Sequence, residues 1–251
     1  MHTEKYLNRI KYSESLEPNL QTLKKLQKSH LLNIPFENLD IHNNIPIELF
    51  IDKIFDKIVN QNRGGFCYEL NGLFYELLIS LNFNAKRISA RVFNKDNGYG
   101  QEFDHFAILV TIGNSEYLTD VGFGEFSFEP LKFEINKIQN DELGDFIFEK
   151  YDKDYFRVSK IKNESIIPEY IFTTNRRELL DFKDMCIYHQ SSPKSHFTTK
   201  RLISLPNING RVTITGNKLI VKKFNSKTET EIKTETEFKK ILKKFMNINH
   251  V

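Results

Sequence analysis

One run of apolar residues constrains this chain more than any other feature. Leu70, Leu73, Phe74, Leu77, Leu78 and Leu81 recur at i, i+3, i+4, i+7, i+8 and i+11, a single stripe of an α-helix. Directly ahead stands Arg63-Gly64-Gly65-Phe66-Cys67-Tyr68-Glu69-Leu70-Asn71. The glycine pair predicts a loop, so Cys67 falls at or within the first turn of the helix. Backbone N–H groups are unpaired there and the helix dipole is positive, which favours a thiolate over a thiol. Two consecutive glycines also let a backbone approach a ligand closely. Cys67 is therefore the first candidate for chemistry.

The remaining elements arrange themselves around this helix. Leu20, Leu23, Leu26 and Leu31 predict an earlier helix, with Pro18-Asn19 as its start signal. Ile34-Pro35 must end it, because proline disfavours helical geometry in the residue before it. From about residue 86 the pattern becomes β: Lys86–Phe93, His105–Ile112 and Tyr117–Val121, the last two joined by Gly113-Asn114-Ser115-Glu116. Shorter β-like pieces follow at 146–148, 155–158, 211–214 and 218–221. Phe238, Ile241, Leu242 and Phe245 predict a closing helix. Helices first, strands in the middle and a mixed tail make an α+β chain.

Charge and composition exclude several classes of function. With 36 basic and 33 acidic residues, the net charge is only +3. This gives no electrostatic basis for binding nucleic acid or an anionic membrane. No apolar run approaches the roughly 20 residues that span a bilayer, and Met1-His2-Thr3-Glu4-Lys5-Tyr6 does not read as a signal peptide. Two cysteines, Cys67 and Cys186, predict free thiols in a cytoplasmic protein. Metal-ligand spacings are absent, and Gly122-Phe123-Gly124 is too short for a nucleotide fingerprint.

A nucleophilic cysteine needs a base, and the base needs an orienting acid. Of seven histidines, His2 and His250 sit at the chain ends, His30 reads as a partly buried helix residue, and His42 lies in a polar loop. His189 and His196 flank a Ser/Pro loop and read as surface residues, although His196, beside Phe197, could line a site. His105 differs because it opens the most apolar strand, directly after Asp104. Asp120 ends the neighbouring strand, where a buried carboxylate needs a partner. If Ile112 pairs with Tyr117, Asp120 lies opposite Leu109, on the face of His105 but roughly 13 Å along the strand. That register gives a shared face without contact, and Asp120 reads equally well as a turn acid. Glu37 and Glu69 read as charge partners of Arg63 or as helix caps, and Cys186 as a small buried hydrophobe.

Taken together these blocks resemble the arylamine N-acetyltransferases. The resemblance rests on Ile34-Pro35-Phe36-Glu37-Asn38-Leu39, the cysteine block, Asp104-His105, and Asp120-Val121-Gly122-Phe123-Gly124. It extends over nearly the whole chain and is loose beyond residue 130. It implies a helical domain over 1–85 carrying the cysteine, a β-barrel-like domain over 86–190 carrying His and Asp, and an α/β lid over 191–251. The catalytic core it implies is like that of cysteine proteases. It implies Cys67, His105 and Asp120 as a catalytic triad, Phe36, Val92, Phe123 and Phe197 as acceptor-pocket walls, and Gly124 near the pyrophosphate of coenzyme A. The implied reaction is ping-pong transfer from acetyl-coenzyme A to arylamines and arylhydrazines through an acetyl-cysteine, with no metal. Glu125 and Glu129 depart from many bacterial members, in which the stretch after Gly124 has an extra glycine. A cysteine hydrolase using water as acceptor would carry the same three residues.

Overall fold

The Cys67–Ser80 helix begins where the glycine pair predicts and is enclosed along almost its whole length. Its apolar stripe is buried, but so are Tyr68, Asn71, Gly72 and Tyr75 on the other faces. A one-sided stripe predicts one buried face. The second is buried because the helix also packs on strands Asn84–Asn94 and His105–Ile112. The computed structural model describes residues 2–224 and 226–248, so His250 lies outside the described residues.

Around the N-terminal half of the chain stand helices Thr3–Arg9, Leu20–Asn33 and Ile51–Phe55. Asn19 caps the second of these, its side chain accepting the Thr22 N–H at 3.0 Å. That helix stops at Asn33, and Ile34 is extended, as the residue before a proline must be. His30 is fully buried among the helices. Its Nδ1 lies 2.8 Å from the Tyr6 hydroxyl and its ring meets Phe74 edge-on.

The middle of the chain forms a near-closed antiparallel barrel. Its strands run in the order Leu131–Lys132, Ser115–Thr119, His105–Ile112, Asn84–Asn94, Ser165–Phe172, Phe156–Lys162, Gly144–Lys150 and Ile138–Asp141. Alternation divides strand His105–Ile112 between two cores. Phe106, Ile108 and Val110 belong to the core of the cysteine helix. Ala107 and Leu109 belong to the barrel core with Phe146, Phe148, Tyr170 and Phe172.

The hairpin register differs from the sequence expectation. Ile112 pairs with Ser115 and Ile108 with Thr119, so the turn is two residues, with Gly113 at φ 58°. This brings Asp120 level with Ala107 rather than Leu109. A shift of two keeps the face and reduces the offset from His105 to about 7 Å along the strand, which two side chains can span.

The C-terminal part is a second antiparallel sheet in the order Phe36–Glu37, Leu202–Asn207, Gly210–Thr215, Lys218–Lys223 and Ser226–Glu231, packed on helix Glu235–Ile241. Its first strand comes from the N-terminal half. Phe36 pairs with Ser204 on one side and bridges Gly65 on the other, which joins this sheet to the loop before Cys67.

Candidate active site

Cys67 opens its helix and is 3% exposed. The Glu69 carboxylate reaches back to accept the Phe66 N–H at 3.2 Å, a helix-start bond. Its other oxygen lies 2.8 Å from Lys57 Nζ. Glu37 accepts from Arg63 Nε at 2.9 Å. Both acids therefore balance cations or cap the helix, in line with their sequence reading.

The glycine pair has a different task from the one its sequence suggested. A Cβ on Gly64 would lie 2.0 Å from the Pro35 carbonyl oxygen, and one on Gly65 would lie 2.8 Å from the Glu69 side chain. Neither lines the cavity described below. They let the loop seat against Phe36–Glu37, where the Glu37 N–H donates to the Gly65 carbonyl at 2.8 Å. Gly122 makes the close approach to Cys67, since a Cβ there would lie 2.8 Å from the Cys67 Cα.

His105 and Asp120 are in contact, with Nε2 2.7 Å from Oδ2. Both are buried, and every further partner of the carboxylate donates to it. Tyr170 Oη gives a bond of 3.0 Å to Oδ2, while Asn71 Nδ2 and the Gly122 N–H give bonds of 2.8 and 2.9 Å to Oδ1. These donors offset the cost of burying the charge. Asn71 also donates to the Phe106 carbonyl and accepts the Val121 N–H at 2.8 Å, which staples the cysteine helix to the hairpin. Sequence reasoning assigned Asn71 and Tyr170 no role. For Asn71 a signal existed: it lies four residues after Cys67, on the same face of the helix.

Cys67 and His105 are walls of one cavity of about 400 Å³. Asp120 stands behind the imidazole. Phe36, Val92, Phe123, Phe197 and Gly124 line the same cavity, and Phe123 packs 5.1 Å from the His105 ring. Two lining residues, Asp104 and His189, were missed or misread. His189 is not a surface residue: it is 3% exposed and faces this cavity with Asp104, while His196, which is exposed, lines the cavity rim as its place beside Phe197 allowed. Helix Lys183–Ser191 folds inward against Phe197 and Tyr68, a long-range contact that local spacing does not encode.

The expectation of a ready thiolate also needs correction. Burial pushes the Cys67 thiol well above its ordinary range, and the charges of Asp104 and Asp120 push the same way. The Tyr68 N–H, bonded to the sulfur, pulls it down by less. Desolvation thus outweighs the helix start. Cys186 is a buried thiol pushed up to about 12 by desolvation, which fits its apolar reading. Among the described residues no cluster of three or more His, Cys, Asp or Glu is placed to hold a metal, and no helix is long and apolar enough to cross a membrane.

Comparison with known proteins places this geometry. The N-acetyltransferase family profile matches residues 19–250. Arylamine N-acetyltransferase 1 of Homo sapiens is 32% identical, over 99% of this chain and 94% of its own length. The pineal gland isozyme of Gallus gallus is 31% identical with the same coverage. The arylamine N-acetyltransferase of Mycobacterium marinum, solved in complex with CoA, superposes with a TM-score of 0.90 at 27% identity, covering 98% of this chain and 93% of that one. By profile, by full-length relatives and by fold, this chain belongs to the arylamine N-acetyltransferase family of enzymes.

Proposed function

We propose that the chain moves an acetyl group from acetyl-coenzyme A to an arylamine or arylhydrazine in two steps through an acetyl-Cys67. The observation that carries this reading is a Cys67 thiol sharing one aromatic-walled cavity with an imidazole already fixed by a carboxylate. Asp120 occupies Nε2 of His105, which leaves Nδ1 to serve the thiol. Because burial raises the pKa of that thiol, its proton passes to His105 as sulfur attacks the thioester carbonyl. The N–H of Cys67 at the helix start is a donor for the oxyanion. Coenzyme A leaves and takes the proton.

In the second step the amine attacks the acetyl-Cys67 carbonyl, loses one proton to His105, and the C–S bond breaks as the thiol is restored. Phe36, Phe123 and Phe197 offer flat faces to an aromatic acceptor, and Gly124 lies beside the path of the donor. The test is intact-mass analysis after mixing with acetyl-coenzyme A. One acetyl group should appear on Cys67, persist in buffer and disappear when an arylamine is added. Cys67→Ala should carry none and transfer none. Rapid loss to water without amine would instead identify a cysteine hydrolase, and transfer surviving in Cys67→Ala would overturn the assignment.

A further inference from the structure

The cavity holds a second acid–imidazole pair that the two steps above do not use. Asp104 lines it one residue before His105, and Asp104 Oδ1 lies 3.1 Å from His189 Nε2. His189 is almost fully buried, and its Nε2 has no aligned hydrogen bond. Its Nδ1 is held 3.1 Å from the Ser195 hydroxyl. The Asp104 carboxylate is the more open member, its side chain 16% exposed, and its Oδ2 accepts the Val92 N–H at 3.2 Å. The order is therefore the reverse of the His105–Asp120 pair: the carboxylate stands forward and the imidazole backs it.

A negative charge here opposes ionisation of the Cys67 thiol in the resting enzyme. The same charge is favourable when a neutral amine attacks and its nitrogen becomes positive. A primary amine carries two N–H groups. One proton leaves through His105 and the other stays on the amide product.

Building on the acetyl-transfer reading, we propose that Asp104 accepts the retained N–H of the acceptor amine, with His189 as the positioning residue behind it. The pair thereby aims the nitrogen lone pair at acetyl-Cys67 and selects primary arylamines and hydrazines over N-alkylated ones. No bond is made or broken at Asp104, so the balance of the transfer is unchanged.

The test loads Cys67 with acetyl-coenzyme A and times its discharge by a primary arylamine and by the N-methyl form of the same amine. In Asp104→Asn, discharge by the primary amine should fall about tenfold relative to discharge by the N-methyl amine, as expected for one charge-assisted bond lost. Effects common to both amines, such as an altered leaving thiolate, cancel in this ratio. His189→Leu should lower the ratio in the same direction, and His189→Gln, which keeps a polar group behind the carboxylate, should restore most of it. Thermal melting of each variant checks that it is folded. An unchanged ratio in folded Asp104→Asn overturns the assignment. Wild-type protein that never loads Cys67 overturns the acetyl-transfer reading itself, and this assignment with it.

Discussion

At the scale of single residues, the site depends on how Asp120 is held. Asn71 reaches it from the cysteine helix while also binding Phe106 and Val121 on the hairpin. Asn71→Ala removes three buried bonds at once and should lower stability by about 2–3 kcal/mol. It should also reduce kcat/KM at least tenfold, because the acid orienting His105 loses a support. Asn71→Asp should be worse at neutral pH, since it sets a second carboxylate against Asp120. Denaturant unfolding and steady-state kinetics check both, and an Asn71→Asp protein as active as wild type would contradict this account. Cys67 was legible in the sequence because its helix start is a local feature. The contact of His105 with Asp120 was not, since it depends on a turn of two residues where four were expected. One turn type separates a bonded pair from two residues roughly 13 Å apart. The upward pull on the Cys67 pKa was not legible for a related reason: a helix dipole can be read locally, but desolvation is set by everything packed around the group.

At the scale of elements, helices and apolar strands announced themselves, while strands of unusual chemistry did not. Ser165–Phe172 contains Pro168, which argues against a strand, and the ladder accommodates it with a register shift between Pro168 and Tyr170. Ser226–Glu231 is exposed at every position and has no apolar period to detect. Its charges suit it to a sheet edge, where they oppose pairing with another chain. The helical part has its own pH sensor in His30, which ties Tyr6 to Phe74. Burial, helped by the charge of Arg9, depresses its pKa from 6.5 to about 3. The folded protein thus holds it neutral, and its stabilising contribution is complete above about pH 6.5. As pH falls from there towards about 3, the unfolded chain binds the proton first, and stability drops by up to about 1.4 kcal/mol per pH unit. Urea midpoints between pH 7 and 4 should fall less steeply in His30→Gln than in the wild type. Equal slopes would remove His30 as the cause.

At the scale of the whole molecule, the cavity is a junction rather than a property of one part. Asn38 shows how the junction is fastened: its Nδ2 donates to the carbonyls of Phe197 and Lys200 at 2.9 and 3.0 Å, and its Oδ1 accepts the Leu202 N–H at 2.7 Å. Asn38→Ala should loosen Phe36 and Phe197 together. The expected result is a roughly tenfold rise in acceptor KM, with a smaller change in the rate of Cys67 acetylation. Its melting temperature should fall by about 2–4 °C for each kcal/mol lost. Acetylation and acceptor KM moving by the same factor would argue against this. The junction also sets an order in time. Cavity walls come from Phe36 through to Thr213, and Phe36 has no strand partner at Ser204 until that residue exists. A chain still being synthesised carries its cysteine long before it carries the last walls around it. A ribosome-bound chain that has not reached these residues therefore has a nucleophile but no enzyme, and catalytic competence arrives only once the chain has been made past Thr213.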